Sequence, residues 1–175
     1  MDPTNINPDE NRKRMLQGEL YFAFHPDLVA DRHRSEVACH NYNNAGDVTR
    51  RRRVELWRDV IGDSSPMPPQ GTTSEEDEQL LASYPWVHAP LHIDYGTNLR
   101  VGEGVFINFN LTVLDTCLVT IGARTLLGPN VSIYSGTHPE DPFLRNGTNG
   151  VSQLAKVQSL ELQAWSRKMC LSSGS

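Results

Sequence analysis

Residues 91–139 read LHIDYGTNLRVGEGVFINFNLTVLDTCLVTIGARTLLGPNVSIYSGTHP, and the fold is decided there. Aliphatic residues return every six positions: Val101, Ile107 and Val113, then Ile121, Leu127 and Ile133. Such a spacing does not build one face of a helix, whose repeat is about 3.6 residues. Gly102, Asn108, Gly122 and Gly128 interrupt any single long strand. What remains is a coil of very short strands with a corner after each, the inward side chains stacking on those of the next coil. Val105, Leu111 and Val131, each four residues after an inward position, form a second apolar series that supports this layout. Gly102, Gly122, Gly128 and Asn108 are expected to take the corner conformations. Three sixes make one coil. Val113 to Ile121 spans eight positions, so a two-residue bulge is expected around Asp115 to Leu118. Ile107 should then stack on Leu127, and Val113 on Ile133.

The chain leading into this stretch reads as helical. Residues 1–10 are polar and expected to be disordered. Helical character starts around Asn11–Leu20. His25-Pro26-Asp27 is a helix start, with proline and an acid in the first turn, and that helix runs to Asn43 or Asn44. A third helix covers Val48 to Ile61 and stops at Gly62, with Val54, Trp57 and Ile61 at helical spacing. Residues 11–62 are therefore a small helical module. Residues 63–84 are a linker plus a short helix opened by Thr73 and Glu76 as a capping box. Residues 85–150 are the repeat segment. The arginines at 50–53 read as a helix face or a docking surface for acidic neighbours, because no other basic cluster extends the patch.

Composition narrows the function. Hydrophobic residues make up 38% of the 175, low for a packed globule and suited to thin repeat cores. The net charge of -5 argues against a general nucleic-acid binder. No apolar run approaches a membrane span or a signal peptide, so no membrane and a cytoplasmic location are expected. Cys39, Cys117 and Cys170 are odd in number and far apart, which indicates neither a disulfide framework nor a zinc motif. His88 and His92 lack a third ligand of suitable spacing, so no metal is expected.

Met15-Leu-Gln-Gly-Glu-Leu-Tyr21, Asp94-Tyr-Gly96, Phe106-Ile-Asn-Phe-Asn110, Val119-Thr-Ile-Gly122, Gly128-Pro-Asn130 and Thr137-His-Pro139 resemble the maltose/galactoside O-acetyltransferase family. These are hexapeptide-repeat acyltransferases with a helical N-terminal cap, and the resemblance covers roughly residues 12–150. It implies an α+β chain: the helical module, then a partial left-handed parallel β-helix. It also implies a homotrimer with sites between subunits, acetyl-CoA as donor and a sugar as acceptor. His138 maps to the general base of the Thr-His-Pro motif. Asn108 maps to an acceptor contact, and Asp115 and Asp94 to positions lining the sugar pocket. An acid at the position of Asp115 more often caps the bulge, and Asn108 equally suits a corner. Tyr21-Phe22-Ala23 departs from the family, which often places an acceptor-binding aspartate there.

A sugar hydroxyl is a poor nucleophile at neutral pH, and a neutral imidazole within hydrogen-bond reach can take its proton as it attacks the thioester. Pro139 disfavours the helical conformation at His138. After Gly150 the pattern stops. Residues 151–175 carry no aliphatic-glycine pair, and Leu154, Val157 and Leu160 suit a weak helix or a disordered, non-family tail. Such a break is expected of truncation, a shifted reading frame or a retained intron, with the donor-binding residues mostly beyond Gly150 and little or no turnover from this chain. The alternative function is a non-catalytic product that interacts with full-length trimers. A metalloenzyme of the same repeat class needs three clustered histidines and is discounted.

Overall fold

The computed structural model describes residues 6–137 and two further strands, Leu154–Val157 and Leu160–Leu162. The helical module opens with α1 (Pro8–Gln17). It starts earlier than the expected Asn11, because the Asn7 side chain accepts the amides of Asp9 and Glu10 and Pro8 occupies the first turn. The disorder expected of residues 8–10 is thereby corrected. β1 (Tyr21–Phe22) follows, then α2 (Pro26–Asn43), α3 (Arg50–Ile61) and α4 (Ser74–Leu80). Thr73 caps α4 through the Glu76 amide, and the Glu76 carboxylate turns back to the Thr72 amide and hydroxyl.

The arginine run is consumed inside the molecule. Arg50 stacks over Trp86 at 4.0 Å and donates to the carbonyls of Tyr84 and Pro85. Arg51 pairs with Asp77, Arg52 with Glu55, and Arg53 donates to Tyr42 and Gly46.

The repeat segment is a parallel coil. Its strands are β2 (Trp86–Val87), β3 (Leu91–Ile93), β4 (Leu99–Val101), β5 (Phe106–Ile107), β6 (Leu111–Leu114), β7 (Val119–Ile121), β8 (Leu126–Leu127) and β9 (Ser132–Tyr134). They stack as β2-β5-β8, β3-β6-β9 and β4-β7. Register is uniform: Leu91 faces Leu111, Leu99 faces Val119, and Ile107 faces Leu127 as expected, as does Val113 with Ile133. Each pair is twenty residues apart, so one coil is three sixes plus the two extra residues. The eight-residue side also occurs one coil earlier, from Ile93 to Val101, which makes it a constant corner rather than a single bulge.

The corner residues are not those expected. Positive φ falls at Gly104, Asn110, Arg124 and Asn130, two residues after each expected position, not at Gly102, Asn108, Gly122 or Gly128. Gly102 and Asn108, each the residue after a short strand, still donate their amides to the next coil, and the positive φ comes two residues later. Gly102 is needed for another reason: a Cβ there would run into the backbone of Ala123 in the next coil.

Inward side chains form one core with the helices. Val87, Leu91, Leu99, Val105, Ile107, Leu111, Val113, Val119 and Ile121 pack continuously with Tyr42, Leu56, Trp57 and Val60. Each buried aliphatic contributes about 1.5–3 kcal/mol. The helices close the first coil. On α2, Ser35 donates to the Ile93 carbonyl, Tyr42 to Val87, and Asn43 clamps both backbone groups of Leu91. Arg34 ties α3 to the coil through the carbonyls of Asp59 and Tyr95.

The reading of residues 151–175 as weak helix or disorder is corrected where strands stand. β10 (Gly136–Thr137) pairs antiparallel with β11 (Leu154–Val157), which also pairs antiparallel with β1. β12 (Leu160–Leu162) continues the coil on β7, with Leu160 opposite Val119 and Leu162 opposite Ile121. The open edges of β7 and β10 offer unpaired backbone groups, and pairing them outweighs a weak helical spacing. The other residues of that tail lie outside the described residues.

Candidate acceptor-side site

Two corners of the coil carry the residues singled out in the sequence. The first lies between the β3-β6-β9 and β4-β7-β12 sheets. Asp94 leaves β3 there, its amide donating to the Val113 carbonyl at 3.0 Å. Burial pushes its carboxyl pKa up, opposed by the Arg32 guanidinium. Asp94 lines a cleft of about 740 Å³ between α2 and β3, together with Arg32, His33, Glu36, His40 and His92. Arg32 hydrogen-bonds the Tyr95 hydroxyl, donates to the Ala23 carbonyl and lies over the Tyr95 ring at 5.3 Å. A guanidinium thus covers the stretch where the acceptor-binding aspartate was found missing.

Asp115 sits one coil above, with its residue 0% exposed. Its Oδ1 accepts the Tyr95 amide at 2.7 Å, and its carbonyl accepts from Asn98 Nδ2 at 2.8 Å. These contacts are those of a corner cap. Oδ2 has no hydrogen-bond partner among the described residues. Burial pushes the Asp115 pKa up to about 7. Between the ordinary carboxylate pKa and that value the folded chain holds a proton that the unfolded chain has lost. Stability therefore falls as pH rises through that window, by up to about 1.4 kcal/mol per pH unit. Asp115→Asn should flatten this slope, as read by urea denaturation at about pH 5 and about pH 7. An equal slope in both proteins would mean that Asp115 ionises freely in the fold.

Ser135 lies directly above. Its amide and hydroxyl both bond the Leu114 carbonyl, and it receives the Cys117 amide. β10 departs from this point, ending at Thr137. His138 comes next in sequence and lies outside the described residues.

Asn108 occupies the other corner, between the β2-β5-β8 and β3-β6-β9 sheets. Its amide donates to the Leu127 carbonyl and its Oδ1 accepts from Phe109. It is half-buried, and Nδ2 makes no hydrogen bond among the described residues. One copy of the chain thus gathers Asp94 and Asp115 at one edge and holds Asn108 at another. His88 packs edge-on against Phe106 and Phe109, an aromatic contact rather than a ligand position. Among the described residues no three His, Cys, Asp or Glu side chains form a group that could hold a metal. None of the described helices is long and apolar enough to cross a membrane.

Sequence reading missed Arg32 and Ser135. Arg32 is one of many charged residues on α2, and only the fold aims it at Tyr95. Ser135 could have been found from the twenty-residue register, which places it above Asp115.

Comparison with known proteins gives concordant results. The maltose acetyltransferase hexapeptide capping motif matches residues 14–64. The chain is 32% identical over 155 residues to nodulation protein L of Rhizobium leguminosarum bv. viciae, covering 88% of this chain and 70% of that protein. It is 42% identical over 133 residues to the galactoside O-acetyltransferase of Escherichia coli K12, covering 76% of this chain and 57% of that one. A hexapeptide-repeat acetyltransferase of Vibrio cholerae O1 biovar eltor, solved with acetyl coenzyme A, superposes with a TM-score of 0.64 at 22% identity. That alignment covers 87% of this chain and 70% of the solved one. The chain thus spans 57–70% of the length of these three proteins.

Proposed function

This chain belongs to the maltose/galactoside O-acetyltransferase family of hexapeptide-repeat proteins, and we propose that it transfers an acetyl group from acetyl-CoA to a sugar hydroxyl. His138 is the general base. Its neutral imidazole takes the hydroxyl proton as the oxygen attacks the thioester carbonyl, and the departing thiolate of CoA takes that proton back. The observation that carries this reading is the β10 strand, which leaves the Asp94–Asp115 corner and ends at Thr137, one residue before His138.

Asn108 and Asp94 occupy different edges of the coil, so a pocket using both is completed by a second copy. That supports a homotrimer of left-handed coils with sites between subunits. Asp94 with Arg32 faces the acceptor, Asn108 orients the reacting hydroxyl from the neighbouring copy, and Asp115 holds the Tyr95 corner. The donor is acetyl-CoA, as in the Vibrio cholerae structure. β12 extends the coil beyond the point where the sequence pattern stops, which favours turnover over the inactive product first expected.

A second reading, a non-catalytic chain that joins longer copies, is favoured by Leu126 and Tyr134, 68% and 58% exposed on the upper coil. Calorimetric titration with acetyl-CoA separates the two. Binding by the purified chain, retained in His138→Ala, supports the first. Binding that appears only after mixing with a longer homologue supports the second.

A further inference from the structure

The β1-β11-β10 sheet spans the molecule from the helical module to the strand that precedes His138. Its members are very short, two residues each in β1 and β10. Strands of that length do not hold together alone. At one end, Ser135 is fixed on the coil through Leu114 and Cys117. An added Cβ on Gly136 would meet Thr116 Oγ1 at 2.9 Å, so β10 lies tight against the coil. Beyond Ser135, β10 has a single paired edge among the described residues, with Gly136 opposite Val157 and Thr137 opposite Lys156. The other edge of β11 pairs with β1, Tyr21 opposite Ala155 and Phe22 opposite Leu154.

Among the described residues, the far side of β1 is closed by a side chain rather than a strand. Asn11 on α1 is 2% exposed. Its Nδ2 donates to the Phe22 carbonyl at 3.0 Å, and its Oδ1 accepts the Phe22 amide at 2.7 Å. The primary amide thus takes the place of a peptide group in a missing fourth strand, using both of its polar ends.

We propose that Asn11 is a positioning residue for the strand that delivers His138, acting through Phe22, β11 and β10. The inference rests on the reading of His138 as the base. It makes the helical module more than a plug for the first coil: α1 sets where Thr137 sits, and Thr137 sets where the base begins.

The test is Asn11→Asp, which keeps the shape and the acceptor oxygen but replaces the donor with a second oxygen facing the Phe22 carbonyl. Native-state hydrogen exchange and steady-state kinetics are measured on the full chain. Amides of residues 21–22, 154–157 and 136–137 should exchange about tenfold faster, and those of α2 and α3 at the original rate. kcat should fall about ten- to a hundredfold, with KM for acetyl-CoA unchanged. Asn43→Asp breaks the same kind of clamp on Leu91 and should leave exchange at residues 136–137 unaltered. Faster exchange that stops at Phe22 overturns the proposal, as does loosening of all three strands with kcat unchanged. If the unaltered chain shows no turnover, the functional reading and the positioning role fail together. The exchange pattern still decides whether the sheet is a single mechanical unit.

Discussion

Replacing His138 with alanine should lower acetyl transfer by roughly 10²–10⁴-fold, the usual loss on removing a general base. The loss should fall on kcat. The imidazole works on the proton as the hydroxyl attacks, so it favours the transition state over the bound acceptor. Binding of acetyl-CoA should survive the substitution. The pH profile gives a second signature. Protonation of the base should make kcat/KM of the unaltered enzyme decline on the acid side. His138→Ala should lose that limb and keep a small, nearly pH-independent rate. A variant with unchanged kcat, or one whose acid limb persists, assigns the base elsewhere. Asp115 is a poor substitute: it is fully buried and committed to the Tyr95 amide.

The largest expected loss of stability is at Gly96. Its φ of +75° lies in the left-handed region, costing another residue about 1–3 kcal/mol. An added Cβ would also drive into the carbonyl oxygen of Val60 at the end of α3. That oxygen is backbone, held where Arg34 bonds it at 3.3 Å, so it yields only if α3 lifts off the coil. Forced overpacking of this kind adds about 1–3 kcal/mol. Gly96→Ala should therefore destabilise the chain by roughly 2–6 kcal/mol in urea denaturation. Gly128→Ala is the matched comparison, because nothing lies within 4 Å of its added Cβ and its φ is not positive. Its effect should stay within about 0.5 kcal/mol. Equal effects at the two glycines would show that α3 does not bear on the first coil as described.

Much of this architecture was legible because it depends on period. Six-residue spacing reports which side chains point inward, and the two extra residues between Val113 and Ile121 were enough to predict Ile107 over Leu127 and Val113 over Ile133. Helix ends were legible where caps are local, as at Pro26 and Gly62. The corners were misplaced by two residues because the pattern marks the inward position, while the backbone turns only after the following residue. β11 and β12 could not be read. They form on edges that the rest of the fold leaves open, and no periodicity in residues 151–175 announces them. The role of Asp115 was legible only as a choice between capping and binding. What tips it toward capping is the Tyr95 amide, twenty residues away in sequence and one coil below. Arg32 could not be assigned at all, because its partners Ala23 and Tyr95 come from different segments.

We propose acetyl transfer to a sugar hydroxyl at the corner built by Asp94, Asp115 and the β10 strand. The most direct measurement follows free CoA thiol released from acetyl-CoA by the purified chain, with and without a panel of mono- and disaccharides. Release should depend on the sugar and be matched by stoichiometric appearance of an O-acetyl sugar. Release independent of any sugar, or acetyl-CoA bound and left intact with every sugar present, would contradict it.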